Sequence, residues 1–291
     1  MRFTEIGQQL RAYRLESGMR AEEIATRLGV SRAALYRYEK GDVIKLDTVQ
    51  RLAELLKISP LSLLGVGVEY YSRPIGYFER LRQIEETAEQ LLLLEGALLY
   101  LTTSDAYDAA LADAFEDAAR QRGGERAEAQ SAGDQVLGIL MARKRMYALR
   151  PPGVTCMISG SWLRHFLARG VGSGLACSDP LRQRNRQAAL SEALLAAGLM
   201  EAEPMGLQLG LLPDAEPAGS FVILRSRDRA SLAVNPFSPD SAPHSPAGVA
   251  MLTAADEAVA AHQRVADARW RDALKGAAGA ARMRQIAEEF A

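Results

Sequence analysis

The residue types that usually carry catalysis are few in this chain and do not stand at catalytic spacings. Its three histidines, His165, His244 and His262, lie far apart and show no metal-ligand spacing. Ser159 and Ser161 flank a single glycine, which is not the Gly-x-Ser-x-Gly spacing of a nucleophile elbow. We therefore expect a protein that is not an enzyme and that uses no metal and no cofactor.

A glycine-rich stretch and two cysteines do not change this expectation. Residues 170–174 have the pattern Gly-x-Gly-x-Gly after an expected helix rather than a strand, which favours a flexible loop over a dinucleotide fingerprint. Cys156 and Cys177 are too few for a disulfide framework or a cysteine-rich zinc site, so the chain fits a reducing cytoplasm. Cys156 lies in an apolar segment and is expected to be inert core, whereas Cys177 lacks a paired redox motif.

Arginine is the remaining residue type that could form a site, because its side chain binds anions. The segment SDPLRQRNRQ (residues 178–187) carries arginines at a spacing of two, which spreads them around a helix and favours a solvated face. The alternative is that one of the three arginines of this segment (Arg182, Arg184 and Arg186), or Arg164 near Ser159 and Ser161, binds a carboxylate.

Length and charge place these residues in a two-part protein. The chain has 291 residues, 48% hydrophobic and 24% charged, which suits about two soluble domains. We expect no signal peptide and no membrane span, since no apolar run approaches about 18 residues. Residues 1–66 hold 11 basic against 8 acidic residues, and residues 67–291 hold 24 against 28. A basic first part weakly favours contact with phosphates.

Apolar residues at helical spacing predict five short helices in the first 65 residues. Ile6, Leu10 and Tyr13 define the first helix, and Ser31 and Ser59 precede two others as capping hydroxyls. The expected helices span residues 4–17, 20–28, 32–40, 46–57 and 60–64.

Two segments of this part carry a resemblance to a known family. IGQQLRAYRLESGMRAEEIATRLGVSRAALYRYEKG (residues 6–41) and DTVQRLAELLKISPLSLLG (residues 47–65) resemble a Cro/cI-type, lambda-repressor-like (XRE) helix-turn-helix domain. The motif itself runs from Ala21 to Lys40. Ala25 is small where the third helix crosses it, Gly29 supplies a left-handed turn, and Leu35 points into the core.

The resemblance implies that the third helix enters the major groove of an operator. Arg32 and Arg37 would each bind guanine through two hydrogen bonds, and Ala33 or Ala34 would contact a thymine methyl group. The outward-facing residues that it implies are Ser31, Arg32, Ala33, Ala34, Tyr36 and Arg37. The phosphate contacts that it implies are Arg11, Arg20, Lys40 and Lys45.

The resemblance also implies a buried ion pair between Arg14 and Glu39. The chain departs from the family pattern at the start of the second helix. The family usually begins its second helix with Ser or Thr followed by Gln, whereas this chain has Arg20 and Ala21. The helix therefore lacks a capping hydroxyl, and Ala21 replaces a residue that usually contacts DNA. Arg20 is expected to compensate electrostatically.

The rest of the chain alternates strands and helices, which predicts an α/β domain. We expect a linker at residues 67–76, which contain glycine and proline, and a second domain at residues 77–291. The expected helices span residues 77–90, 105–120, 133–149, 161–169, 181–197 and 255–274, with a further helix to the end. The expected strands span residues 97–103, 154–159, 207–212, 221–226, 230–235 and 248–253.

An apolar stripe in the helix at 77–90 leaves two interpretations open. Leu81, Ile84, Ala88 and Leu91 follow a coiled-coil-like spacing, which fits either a dimer seam or packing within the domain. The final helices are the alternative seam. The closing section of the chain consists of a hairpin, a loop, a Gly-Val-Ala strand and a long helix with Trp270. It is similar to that of phospholipase D-like domains. Their His-x-Lys-x4-Asp motif is absent, so their chemistry does not follow.

These observations predict a cytoplasmic, homodimeric, sequence-specific transcription regulator with a DNA operator and a small, anionic effector as partners. The effector site is expected after two strands of the α/β domain, where helices begin, although Asp105 there opposes an anion. Its expected residues are Ser104, Ser161, Arg164 and Arg182. One alternative is an effectorless repressor or antitoxin-like protein whose second domain only dimerises or binds a protein. The other is an enzyme with a DNA-binding appendage.

Overall fold

Five helices form the first part of the chain, which we call the head (residues 3–66). The computed structural model describes residues 3–94, 96–213, 219–243 and 248–291. The head helices are α1 (Phe3–Ser17), α2 (Ala21–Leu28), α3 (Arg32–Glu39), α4 (Leu46–Leu56) and α5 (Pro60–Leu63). They enclose fully buried apolar side chains, one from each helix: Leu10, Ile24, Leu35, Leu52 and Leu63. This arrangement confirms the five expected helices.

The rest of the chain, which we call the body (residues 67–291), is built on one mixed sheet. Its strands are β1 (Val68–Tyr71), β2 (Gln90–Leu94), β3 (Gly153–Ser159), β4 (Leu207–Leu212), β5 (Ser220–Arg225), β6 (Ala230–Asn235), β7 (Ala250–Thr253) and β8 (Leu274–Lys275). Their order is β1-β7-β6-β5-β2-β3-β4-β8. Strands β2, β3 and β4 are parallel, and the other pairings are antiparallel.

Helices lie against both faces of this sheet. They are α6 (Pro74–Glu85), α7 (Asp105–Arg120), α8 (Arg126–Leu149), α9 (Gly160–Arg169), α10 (Asp179–Ala202), α11 (Asp256–Asp272) and α12 (Gly276–Glu288). Helix α11 packs over a small core that contains Met157 and Ile223. The other face, with Cys156 and Ala233, contributes to a larger core. None of the described helices combines the length and the apolarity that a membrane crossing requires.

The larger core is continuous between the head and the body. It includes Leu10 and Tyr13 of α1, Tyr71 of β1 and Phe78 of α6. The rings of Tyr13 and Tyr71 stack with their centroids 5.1 Å apart. The head is therefore packed against the body rather than suspended on a flexible connection.

The expected alternation of strands and helices is confirmed, but one strand lies elsewhere. The expected strand at 97–103 is wrong: this segment contains a short 3-10 helix, Tyr100–Thr102. The strand is instead β2, which follows the end of α6 at Glu85. A strand that is buried on both faces is a continuous apolar run without alternation. The spacing of the four leucines of β2 therefore did not distinguish a strand from a continuation of the preceding helix.

Three other expectations need correction. The expected linker at residues 67–76 contains β1, which pairs with β7, and the first turn of α6. Helix α8 begins at Arg126, before the helix start that was expected at residue 133. The interpretation of the apolar stripe as a dimer seam is also wrong, because Leu81, Ala88 and Leu91 are buried inside the chain itself. The apolar face of the final helix packs within the chain as well, through Met283 and Ile286.

Candidate nucleic-acid interface

The segment from α2 to α3 has the geometry of a helix-turn-helix. Gly29 ends α2 with a φ of 70°, a left-handed conformation that glycine adopts without steric cost, as expected. The N–H of Val30 donates to the Ala25 carbonyl at 3.0 Å. Ser31 then caps α3, since its Oγ accepts a hydrogen bond from the N–H of Ala34 at 3.1 Å. The turn therefore fixes the start of α3.

Two buried side chains hold the two helices together. Ala25 is 3% exposed and Leu35 is fully buried, which confirms the small residue under α3 and the apolar residue beneath both helices. At the other end of the motif, Arg20 makes no side-chain cap for α2, as its residue type predicts.

The ion pair between Arg14 and Glu39 braces α1 against the end of α3. Arg14 donates through Nε to one carboxylate oxygen of Glu39 at 2.5 Å and through Nη2 to the other at 3.1 Å. The two side chains are 12% and 3% exposed. This bidentate pair confirms the contact that the resemblance implied, and it fixes the orientation of α3 in the head.

The outer face of α3 carries exposed arginines. Arg32 is 56% exposed, donates to Glu22 at 2.7 Å and lies over the ring of Tyr36, 5.4 Å from its centroid. Arg37 is 69% exposed, with the carboxylate of Asp42 3.6 Å from its Nε. Exposed ion pairs of this kind exchange readily for other partners. Ser31 and Ala33 are exposed, and Ala34 and Tyr36 are half-buried.

The expected phosphate contacts separate into two groups. Arg20, Lys40 and Lys45 are exposed on the head. Arg11 instead donates to Glu79 of α6 at 2.7 Å, so its charge is neutralised by the body. The phosphate contact of Arg11 stays a prediction, since its side chain is 46% exposed. Sequence spacing on α1 does not show that one side of this helix meets the body.

A buried polar network joins the head to the body at this junction. Glu69 of β1 accepts hydrogen bonds from Gln9 of α1 at 2.6 Å and from Tyr71 at 2.9 Å. Arg80 of α6 donates to both oxygens of Glu69, at 2.8 and 3.0 Å, and both side chains are 7% exposed. Sequence reasoning missed this network, because Glu69 lies in the segment that was expected to be a linker.

Glu16 completes the junction at the start of α6. Its carboxylate accepts hydrogen bonds from the N–H and the Oγ of Ser72, at 2.6 and 2.7 Å, and from the N–H of Arg73 at 3.1 Å. Burial raises the pKa of Glu16, although these hydrogen bonds oppose the rise. A residue of α1 therefore satisfies backbone donors at the start of α6.

The four expected effector residues are each bound to a different neighbour. Ser104 caps α7 and donates to the buried carboxylate of Glu192 on α10. Ser161 lies 2.9 Å from the hydroxyl of Ser159. Arg164 and Arg182 bind Glu289 and Asp179, at 3.1 and 3.4 Å. These contacts hold side chains of the body in place and assemble no shared site among the four.

The histidines and cysteines of the described residues form no metal cluster. His165 packs edge-on against Trp162, and His262 against Phe221. His244 lies outside the described residues. Both cysteines are buried, and burial raises the pKa of the Cys177 thiol.

The comparisons with known proteins concern the head. A helix-turn-helix family model matches residues 10–63, which include the whole of α2 to α5. This match supports DNA binding of the kind found in XRE-type transcription regulators. No match supports the resemblance of the closing section to phospholipase D-like domains. No curated protein and no solved structure matches the chain.

Proposed function

We propose that this protein is a sequence-specific transcription regulator that binds its operator as a homodimer and responds to a small effector. The observation that carries this proposal is the outer face of α3. Its two arginines, Arg32 and Arg37, are exposed on a helix whose start is capped and whose orientation is fixed by a buried ion pair. Arginine in this position suits bidentate hydrogen bonding to the O6 and N7 atoms of guanine.

The homodimer follows from the small footprint of one head. A single α3 contacts only a few base pairs, whereas a two-fold dimer contacts two half-sites about 34 Å apart. We expect the body to hold the two copies together, and light scattering on the full chain measures this. A monomer at the concentrations at which the protein binds DNA contradicts the homodimer.

Selection from a random duplex library by the full-length protein tests operator binding. We expect an enriched inverted repeat whose half-sites contain guanine, with centres about 34 Å apart. The matched control is the variant that carries both Arg32→Ala and Arg37→Ala, which should enrich no sequence. Failure of the unmodified protein to enrich any sequence contradicts the proposal.

A thermal-shift screen of organic acids, sugars and sugar phosphates on the full chain tests the effector. A ligand at 100 times its dissociation constant should stabilise the fold by about 2.7 kcal/mol. If no compound of a broad library shifts the melting temperature while the operator is still bound, the protein is an effectorless repressor or antitoxin-like protein.

A further inference from the structure

A groove of about 730 Å³ separates the DNA-contacting side of the head from the body. One wall consists of the starts of α2 and α3 and includes Arg20, Arg32 and Tyr36. The opposite wall is the first part of α8, with Ser131 and Gln135. Cavities that bind small molecules have about 300–1,000 Å³ and often lie at domain interfaces. The groove has the size and position of a ligand site.

The charges along the groove favour an anion. Arg14 and Arg32 are paired with Glu39 and Glu22. The lining residue Arg20 forms no ion pair among the described residues, whereas the charge of Arg73 acts on the carboxylate of Glu16. On the acidic side, Glu23 is paired with Arg27, and Glu128 of α8 is the remaining carboxylate. Four arginines and three glutamates therefore line the groove, which leaves an excess of one positive charge.

Part of the groove lining is apolar and fixed in position. Leu15, Met19 and Ile75 line it, so a ligand with a carbon skeleton can bury apolar surface there. Leu15 and Met19 flank the end of α1, and Ile75 lies in the first turn of α6. The polar network at Glu69 and the cap by Glu16 hold these two helices together. The groove is therefore formed before any ligand arrives.

We propose that this groove is the effector site, that it binds a small organic anion, and that the bound anion and operator DNA exclude each other. This assignment rests on the proposed operator binding by the head. Arg20, Arg32 and Tyr36 line the groove and also belong to the residues expected to contact DNA. A ligand held between them and α8 contacts the same side chains, so ligand and DNA compete for them. Binding free energies are coupled reciprocally. DNA must therefore lower the affinity for the ligand by the same factor by which the ligand lowers the affinity for DNA.

A covalent substitute for the ligand tests this exclusion in the full-length protein. Cys156 and Cys177 are 0% and 6% exposed, so a thiol placed in the groove by Ser131→Cys is the one accessible to reagents among the described residues. Reaction with sulfonatoethyl methanethiosulfonate forms a mixed disulfide, releases methanesulfinate and places an anion in the groove. We expect operator affinity, measured by fluorescence anisotropy, to fall about tenfold, within the usual range of coupling between sites.

Two matched controls separate occupancy of the groove from other effects. The same adduct on Ser191→Cys, exposed on α10, should leave operator affinity unchanged. A trimethylammonium-ethyl adduct of similar length on Ser131→Cys should weaken binding less than the sulfonate does. Equal effects at the two positions, or no effect at either, overturn the assignment.

Removing the side chains of the α8 wall distinguishes an effector site from a DNA contact. The double variant Ser131→Ala with Gln135→Ala should bind the operator as tightly as the unmodified protein. A clear loss of affinity in this variant means that DNA itself occupies the groove, which overturns the effector assignment. If the unmodified protein binds no duplex, the proposed function fails, and the assignment fails with it.

Anilinonaphthalene sulfonate, an organic anion with an apolar ring system, serves as a direct probe of the groove. We expect its fluorescence to rise on binding and the operator duplex to displace it. Arg73→Ala should weaken binding of the probe, because it removes a guanidinium group from the groove lining. A probe that the duplex does not displace contradicts the exclusion.

Discussion

The outer face of α3 and the junction between α1 and α6 are both built from arginines and carboxylates, but they differ in exposure. Arg32 and Arg37 are more than half exposed, whereas Arg80 and Glu69 are each 7% exposed. An exposed pair loses little when its partner changes, because water solvates both charges. A buried pair cannot be separated without leaving a charge unsolvated. The same chemistry therefore provides an exchangeable surface in one place and a permanent attachment in the other.

The largest expected effect is on stability, from breaking the buried pair. Arg80→Ala leaves the carboxylate of Glu69 buried without its guanidinium partner, and such losses cost about 3–5 kcal/mol. Denaturant unfolding of the full chain measures this. The matched control is Arg120→Ala, whose pair with Glu116 is about half exposed and should contribute at most about 1 kcal/mol. Equal losses in the two variants contradict the distinction between the two kinds of pair.

The second effect is on DNA discrimination, from the exposed arginines. Arg32→Ala and Arg37→Ala should each cost about 1–3 kcal/mol of preference for operator over scrambled duplex while the fold stays intact. Fluorescence anisotropy on both duplexes measures the ratio. Arg27→Ala, which removes an exposed arginine near the other end of α2, is the control and should leave the ratio unchanged. If both duplexes are weakened equally, the two arginines contact phosphates only.

The third effect is a pH dependence of the junction. Burial would raise the pKa of Glu79, but hydrogen bonds from Arg82 and the charge of Arg11 outweigh it and hold this pKa below its usual 4.5. Because the pKa is lower in the folded state, Glu79 contributes stability above the unfolded value and loses it as the pH falls through the folded value. Denaturant unfolding between about pH 5 and about pH 3 should therefore show a weaker pH dependence for Glu79→Gln. An unchanged dependence contradicts this contribution.

The smallest effect is expected from the exposed carboxylate beside Arg32. Glu22→Gln removes one partner of an exposed pair, so the free energy of unfolding should change by no more than about 0.5 kcal/mol. Operator affinity should rise, by at most about fivefold, since exposed pairs contribute about 0–1 kcal/mol. A fall in affinity means that Glu22 holds Arg32 in the orientation that DNA requires, which makes this pair less exchangeable than its exposure indicates.

The head could be predicted from the sequence because its elements are local. Every expected helix end lies within one residue of the observed end. The Ser31 cap, the left-handed Gly29 and the buried Leu35 each depend on neighbours in the same motif. Operator binding itself stays a prediction, since it depends on a partner outside the chain.

The body was predicted less well because its contacts are distant in sequence. The strand β2 lies between β5 and β3, so its burial depends on segments more than 60 residues away. The junction shows the same limit, because Gln9 and Glu69 form a hydrogen bond across 60 positions of the sequence. The family-like spacing of residues identifies α1 as part of the head. It does not indicate that other side chains of α1 form hydrogen bonds to the body.

The double role of α1 limits how this protein can be rebuilt. Gln9, Arg11 and Glu16 belong to the head in sequence, yet the side-chain hydrogen bonds that they form within the described residues go to the body. A chimera that replaces residues 1–66 with another DNA-binding domain would lose these bonds and leave Glu69 and Glu79 partly unsatisfied in the interior. A new operator specificity is therefore better obtained by changing residues of α3 alone. A transplanted domain would need the glutamine, arginine and glutamate of α1 placed on its own first helix.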